Sequence, residues 1–80
     1  MKRTKTEHAP ELYSAISRRL KELRTEAGYT NQESFAYEAK IPRAQYGRYE
    51  KGTNLTIRSL NKILQFHEIS FEKFFKGVFN

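Results

Sequence analysis

An all-α fold of five helices is what this sequence predicts, and three observations carry it. Leu12, Ile16, Leu20, Leu23 and Ala27 recur at spacings of four, four, three and four, which is one apolar stripe along one helix. In the run from Gln32 to Gly52, QESFAYEAKIPRAQYGRYEKG, two short helical patterns flank a turn too tight to let them continue as one helix. Two more periodic stretches follow, each opening on a hydroxyl residue suited to capping: Thr56 ahead of Ile57, Leu60, Ile63 and Leu64, and Ser70 ahead of a phenylalanine-rich run.

Residues 1–10, MKRTKTEHAP, have no periodicity and end at Pro10, so they are expected as a flexible basic arm before a domain spanning 11–80. His8 beside Glu7 offers too few ligands for a metal site. The first helix is expected over 11–27, with Arg18, Arg19, Lys21, Glu22 and Glu26 covering its polar surface and Gly28 as a left-handed cap. Arg24 follows Leu23 on the margin of the apolar stripe, where a charge needs a neutralising partner.

Phe35, Ala36 and Ala39 fall at helical spacing behind Thr30-Asn31, which predicts a second helix over 32–39. Lys40, Ile41 and Pro42 break it, because proline has no amide hydrogen and its ring disfavours helical geometry at Ile41, while Pro42 is well placed to start the next helix. In that third helix, over 43–50, Tyr46 and Tyr49 share one side with Ile41 leading in. Arg43, Ala44, Gly47 and Arg48 recur at i, i+1, i+4 and i+5 on the other. One face packs inward and the opposite face carries two guanidinium forks separated by small residues.

The fourth helix is expected over 57–67 on the stripe Ile57, Leu60, Ile63 and Leu64, with His67 read as a half-buried or surface histidine. The fifth, over 71–78, concentrates four of the six phenylalanines in nine residues. Phe71 and Phe74 are expected to complete the core, leaving Phe75, Val78 and Phe79 as an exposed apolar patch suited to a twofold homodimer.

Eighty residues suit one domain with a small core, and the absence of cysteine excludes disulfides and thiolate zinc sites. Behind Lys2, Arg3 and Lys5 there is no apolar run, and no stretch approaches a membrane span, so a cytoplasmic location with no membrane association is expected. Fifteen basic residues against nine acidic give a net charge of +6 and a pI near 9.8, which suits a polyanionic partner. No glycine-rich phosphate loop, metal-ligand spacing or paired carboxylates with a nearby histidine are present, so neither an enzyme nor a metal or cofactor is expected. The basic face also lacks the aromatic platform that stacks single-stranded bases.

From Gln32 to Gly52 the chain resembles, without a gap, the helix-turn-helix of the phage repressor and Cro family, also called the XRE family. Gln32 stands at the family's opening glutamine, Phe35-Ala36 at its Leu-Ala pair and Ile41 at its apolar turn residue. Tyr46 and Tyr49 stand at the two core positions, Glu50 at the acidic residue and Gly52 at the terminating glycine. Lys40 departs from the family's turn glycine, and the Gly28-Tyr29-Thr30-Asn31 connection is one residue longer than usual.

The resemblance implies a lambda-repressor-like DNA-binding domain, with the helix-turn-helix at helices 2 and 3, that regulates transcription by binding an inverted-repeat operator as a homodimer. It implies base reading by Arg43, Ala44, Gly47 and Arg48, the arginines toward guanine and Ala44 toward a thymine methyl, against the alternative of non-specific phosphate contact. Backbone contacts fall to Asn31, Gln32, Gln45, Lys51 and Thr53, and a structural ion pair to Arg24 and Glu50. For the basic arm two readings stay open, a solvated terminus and, as in some repressors of the family, non-specific attraction to phosphate. Within the family, the run Asn54-Leu55-Thr56-Ile57-Arg58-Ser59-Leu60 resembles the controller proteins of restriction-modification systems, with phage repressors and antitoxins as competitors. The competing class is an antitoxin-type protein-binding module whose phenylalanine-rich end contacts a toxin; contact with RNA polymerase is a further partner the family implies.

Overall fold

The computed structural model describes the backbone of residues 4–53 and 55–79, and side chains from Glu11 onward except those of Asn54 and Asn80. Five helices follow in order: α1 (Thr4–Glu26), α2 (Gln32–Ala39), α3 (Arg43–Tyr49), α4 (Ile57–His67) and α5 (Phe71–Val78). No strand occurs among the described residues, and the fold is the all-α, helix-turn-helix type. Lys2, Arg3 and Asn54, together with the side chains of Lys5, Glu7 and His8, lie outside the described residues.

The expected arm is the first correction, since residues 4–10 are wound into α1. Proline's fixed φ lies within the helical range, and the backbone runs helically through Pro10, although an interior proline forfeits a bond and crowds the carbonyl four residues back at a cost of about 3 kcal/mol. At the other end Gly28, at φ 97, closes the helix. Three of the later helices start on side-chain caps. Asn31 Oδ1 accepts from the Ser34 amide at 2.8 Å, Thr56 Oγ1 from Ser59 at 3.0 Å and Ser70 Oγ from Lys73 at 3.1 Å. Each satisfies a donor that has no partner inside its own helix, worth about 1 kcal/mol.

The break between α2 and α3 has a physical cost at Lys40, whose φ of 61 and ψ of 45 are left-handed. A glycine would adopt this conformation freely; a lysine gives up roughly 1 kcal/mol. Lys62 of α4 donates its Nζ to the Lys40 carbonyl at 2.8 Å, placing a cation at the negative end of α2 and holding the strained residue. Pro42 then leads into α3 at φ −54.

The core draws on every helix: Ile16, Leu20 and Leu23 from α1, Phe35, Ala36 and Ala39 from α2, Tyr46 and Tyr49 from α3, Leu60, Ile63 and Leu64 from α4, Phe74 and Val78 from α5. Phe35 sits at its centre, with Tyr46 at 4.7 Å and Tyr29 edge-on at 5.4 Å between ring centroids. The stripes predicted for α1 and α4 are shorter than expected, because Leu12, Ala27 and Ile57 are exposed beyond the reach of neighbouring helices.

Val78 is a correction too: it is 4 % exposed and belongs to the core. A helix turns by about 100° per residue, so Phe74 and Val78 lie on one inward line, while Phe71, Phe75 and Phe79 form a second line that rotates outward along the helix. Accordingly Phe71 and Phe75 are half-buried and Phe79 is 69 % exposed. The three rings stack in sequence, at 6.4 Å and then 6.1 Å between centroids.

His67, half-buried at the end of α4, stacks face to face on Phe35 at 5.1 Å, and its buried Nε2 has no hydrogen-bond partner among the described residues. Burial, reinforced by the charge of Arg19 and opposed by Glu26, lowers its pKa from the usual 6.5. The folded chain therefore binds this proton more weakly than the unfolded chain. Stability is retained above pH 6.5 and falls as pH drops from 6.5 toward the lowered value. His67→Phe keeps the stacking and is expected to flatten this part of the stability profile, as read from urea midpoints between pH 7.5 and 5; an unchanged slope would mean that another group carries the effect.

Candidate nucleic-acid interface

Tyr46 and Tyr49 bury one side of α3, at 0 % and 7 % exposure, and their hydroxyls are tied down. Tyr49 donates to Ser59 Oγ at 3.0 Å, and Ser17 of α1 donates to the Tyr49 carbonyl. The Tyr46 hydroxyl donates to Glu50. Glu50 also accepts from Arg24, through Nε at 2.8 Å and Nη2 at 3.2 Å, and from Gln32 Nε2 at 3.0 Å. The remaining guanidinium nitrogen of Arg24 donates to the Tyr29 carbonyl at 2.8 Å.

One carboxylate thus joins α1, α2 and α3, with the Arg24 and Glu50 side chains only 5 % and 2 % exposed. Burial pushes the Glu50 pKa up, but the hydrogen bonds from Arg24, Tyr46 and Gln32 outweigh it and hold the carboxyl below its usual range. The Tyr46 hydroxyl is pushed well up, first by burial and then by its bond to Glu50, so it stays a donor.

With its inner side held, α3 presents the other to solvent. Arg43, Ala44 and Arg48 are exposed, and with Gly47, Gln32 and Lys51 they line one open concavity. Its lining carries three cations and no carboxylate, which makes it an electropositive recess along a helix about 10 Å long. Gly47 has a second reason to lack a side chain: a Cβ there would stand 3.2 Å from Gln32 Oε1, tighter than ordinary contact. Its smallness leaves room for the Gln32 side chain that reaches Glu50 as well as baring the outer face.

The other expected contacts divide. Asn31 caps α2 through its oxygen and forms no bond through its amide nitrogen among the described residues, whereas Gln32 gives one amide hydrogen to Glu50, so what α2 still offers outward is its N-terminal amides, both amide hydrogens of Asn31 and the second of Gln32. Lys51 and Thr53 are exposed, with the Thr53 amide returned to the Arg48 carbonyl at 3.1 Å. Gln45, expected to contact the DNA backbone, lies off the recess in a neighbouring cleft and donates to the Tyr49 hydroxyl. That cleft also holds Arg58, Ser59 and Lys62 of α4. Arg58 and Lys62 are additional to the expected contacts, and their signal in the sequence is a pair of cations four residues apart in the two turns after the Thr56 cap, on the side of α4 away from its apolar stripe.

Among the described residues no group of three or more histidine, aspartate or glutamate side chains could hold a metal, and no helix is long and apolar enough to cross a membrane. In comparison with known proteins, residues 20–74 match the family model described as Helix-turn-helix. No curated protein and no solved structure matched. The match spans α2 and α3 together with the helices that brace them, and the chain belongs to the helix-turn-helix family of DNA-binding transcription regulators.

Proposed function

We propose that the chain binds an inverted-repeat operator in double-stranded DNA as a homodimer, and reads it with Arg43 and Arg48. The observation that supports this most strongly is the pairing of a rigidly anchored inner face with an outer face bare except for cations and small residues. A recognition helix needs both, since a side chain can select a base only if the backbone carrying it is fixed. Each arginine can donate two parallel bonds to guanine O6 and N7, and Ala44 can meet a thymine methyl. Lys51, Thr53 and the N-terminus of α2 supply phosphate contacts, which Arg58 and Lys62 extend along the backbone.

Titrating duplexes of differing sequence, followed by fluorescence anisotropy over a range of salt, tests the reading. Affinity is expected to depend on sequence and to fall steeply with salt. Equal binding of every duplex would refute sequence reading.

The dimer rests on Phe79, which is 69 % exposed, and on the half-buried Phe75 and Phe71 stacked behind it. Such a row costs free energy in water and is relieved by pairing with its own copy. Sedimentation is expected to give twice the 9.5 kDa chain mass, and Phe79→Asp a single chain with unchanged helicity. A monomeric unmodified chain would favour the other reading, in which this row contacts a different protein such as a toxin.

A further inference from the structure

Of the three cations that line the concavity, Arg43 alone has a carboxylate beside it. Its Nε lies 4.0 Å from Glu33 Oε1, and the two side chains are 73 % and 76 % exposed. Arg48 and Lys51 form no ion pair among the described residues. Glu33 stands in the first turn of α2, where the helix dipole favours a negative charge. Arg43 opens α3, where the same dipole repels a cation. The pairing therefore relieves a poorly placed arginine, while the carboxylate is kept where its own helix favours it.

We propose that Glu33 is a specificity-determining residue, holding Arg43 back from phosphates and releasing it to a base edge with two acceptors. This rests on the reading of Arg43 as a base contact. A phosphate oxygen offers Arg43 the same kind of solvated ion pair that Glu33 already provides, and it brings a second negative charge close to the carboxylate. A guanine edge offers two acceptors and no net charge, so it wins Arg43 without repelling Glu33. Glu33 thus penalises contacts that carry no sequence information more than those that do. Because the pair is exposed, its contribution to folding is small.

The test compares the full chain with Glu33→Gln, Arg43→Ala and the double variant. Each is titrated across salt concentrations on the preferred duplex and on one of random sequence. Glu33→Gln is expected to tighten random-sequence binding by roughly two- to fivefold. Its salt slope should steepen by about 0.9, one further phosphate engaged. The preferred duplex should gain less, so discrimination falls, and the gain should vanish in the Arg43→Ala background. No change on the random duplex, an equal gain on both duplexes, or a gain that persists without Arg43 would each overturn the proposal. An unmodified chain with no preferred duplex would instead refute the base-reading assignment beneath it, whereas an intact preference with an inert Glu33→Gln removes only Glu33.

Discussion

Replacing Glu50 with alanine is expected to cost about 3 kcal/mol of folding free energy, seen as a lower urea midpoint at unchanged slope. The carboxylate accepts two bonds from Arg24, one from Gln32 and one from Tyr46. Its removal strands a guanidinium whose side chain is 5 % exposed, together with the hydroxyl of a fully buried tyrosine. Leaving buried donors without acceptors is what makes such a loss large. A chain of this length has a total stability of roughly 4–12 kcal/mol, so the loss is a quarter or more of the whole.

The loss belongs to the orphaned charge more than to the pair itself. Replacing both partners, Arg24→Met with Glu50→Leu, is expected to recover much of the stability, and the coupling from the resulting cycle should be several times that of a surface pair. Acid acts on the same group. Its folded pKa is depressed, so its contribution is full above the unfolded carboxylate value and is lost as pH falls through the folded one. A Glu50→Ala protein within 0.5 kcal/mol of the parent would contradict the anchoring role.

Arg48→Ala is expected to lose roughly five- to 150-fold in affinity for the preferred duplex, the equivalent of about 1–3 kcal/mol for one bidentate base contact. Folding should be untouched, because Arg48 is exposed and forms no ion pair among the described residues. Random-sequence duplexes should lose far less. Lys51→Ala is the control: a phosphate contact weakens all duplexes alike and lowers the magnitude of the salt slope by about 0.9. If Arg48→Ala behaves like Lys51→Ala, Arg48 holds the backbone and reads nothing.

Much of the fold was legible because its punctuation is local. Proline after an apolar turn residue and hydroxyl or amide caps at Asn31, Thr56 and Ser70 mark helix starts through chemistry confined to a few residues. Arg24 and Glu50, read as partners through the resemblance, are in contact across 26 residues of chain. What local pattern did not reveal was rotation and reach. Val78 and Phe79 are neighbours of similar apolarity, and only the angle at which α5 lies on the core decides that one is 4 % and the other 69 % exposed.

Ile57 shows the same limit from the other side. It continues the stripe of α4 by spacing, yet at the first turn it extends past the core it would pack on and is 68 % exposed. Pro10 marks a boundary by local chemistry, since an interior proline costs a helix about 3 kcal/mol, yet α1 runs through it from Thr4. Lys40 takes a left-handed turn suited to glycine, and the stabilising contact comes from Lys62, 22 residues away.

Selection of bound duplexes from a random DNA pool tests the central claim most directly, that α3 is a fixed helix reading base edges with Arg43 and Arg48. The expected result is enrichment of a guanine-containing half-site repeated in inverted orientation about one helical turn apart, with the enriched guanines lost when Arg48→Ala is selected in parallel. A bound pool no different from the starting pool would contradict it.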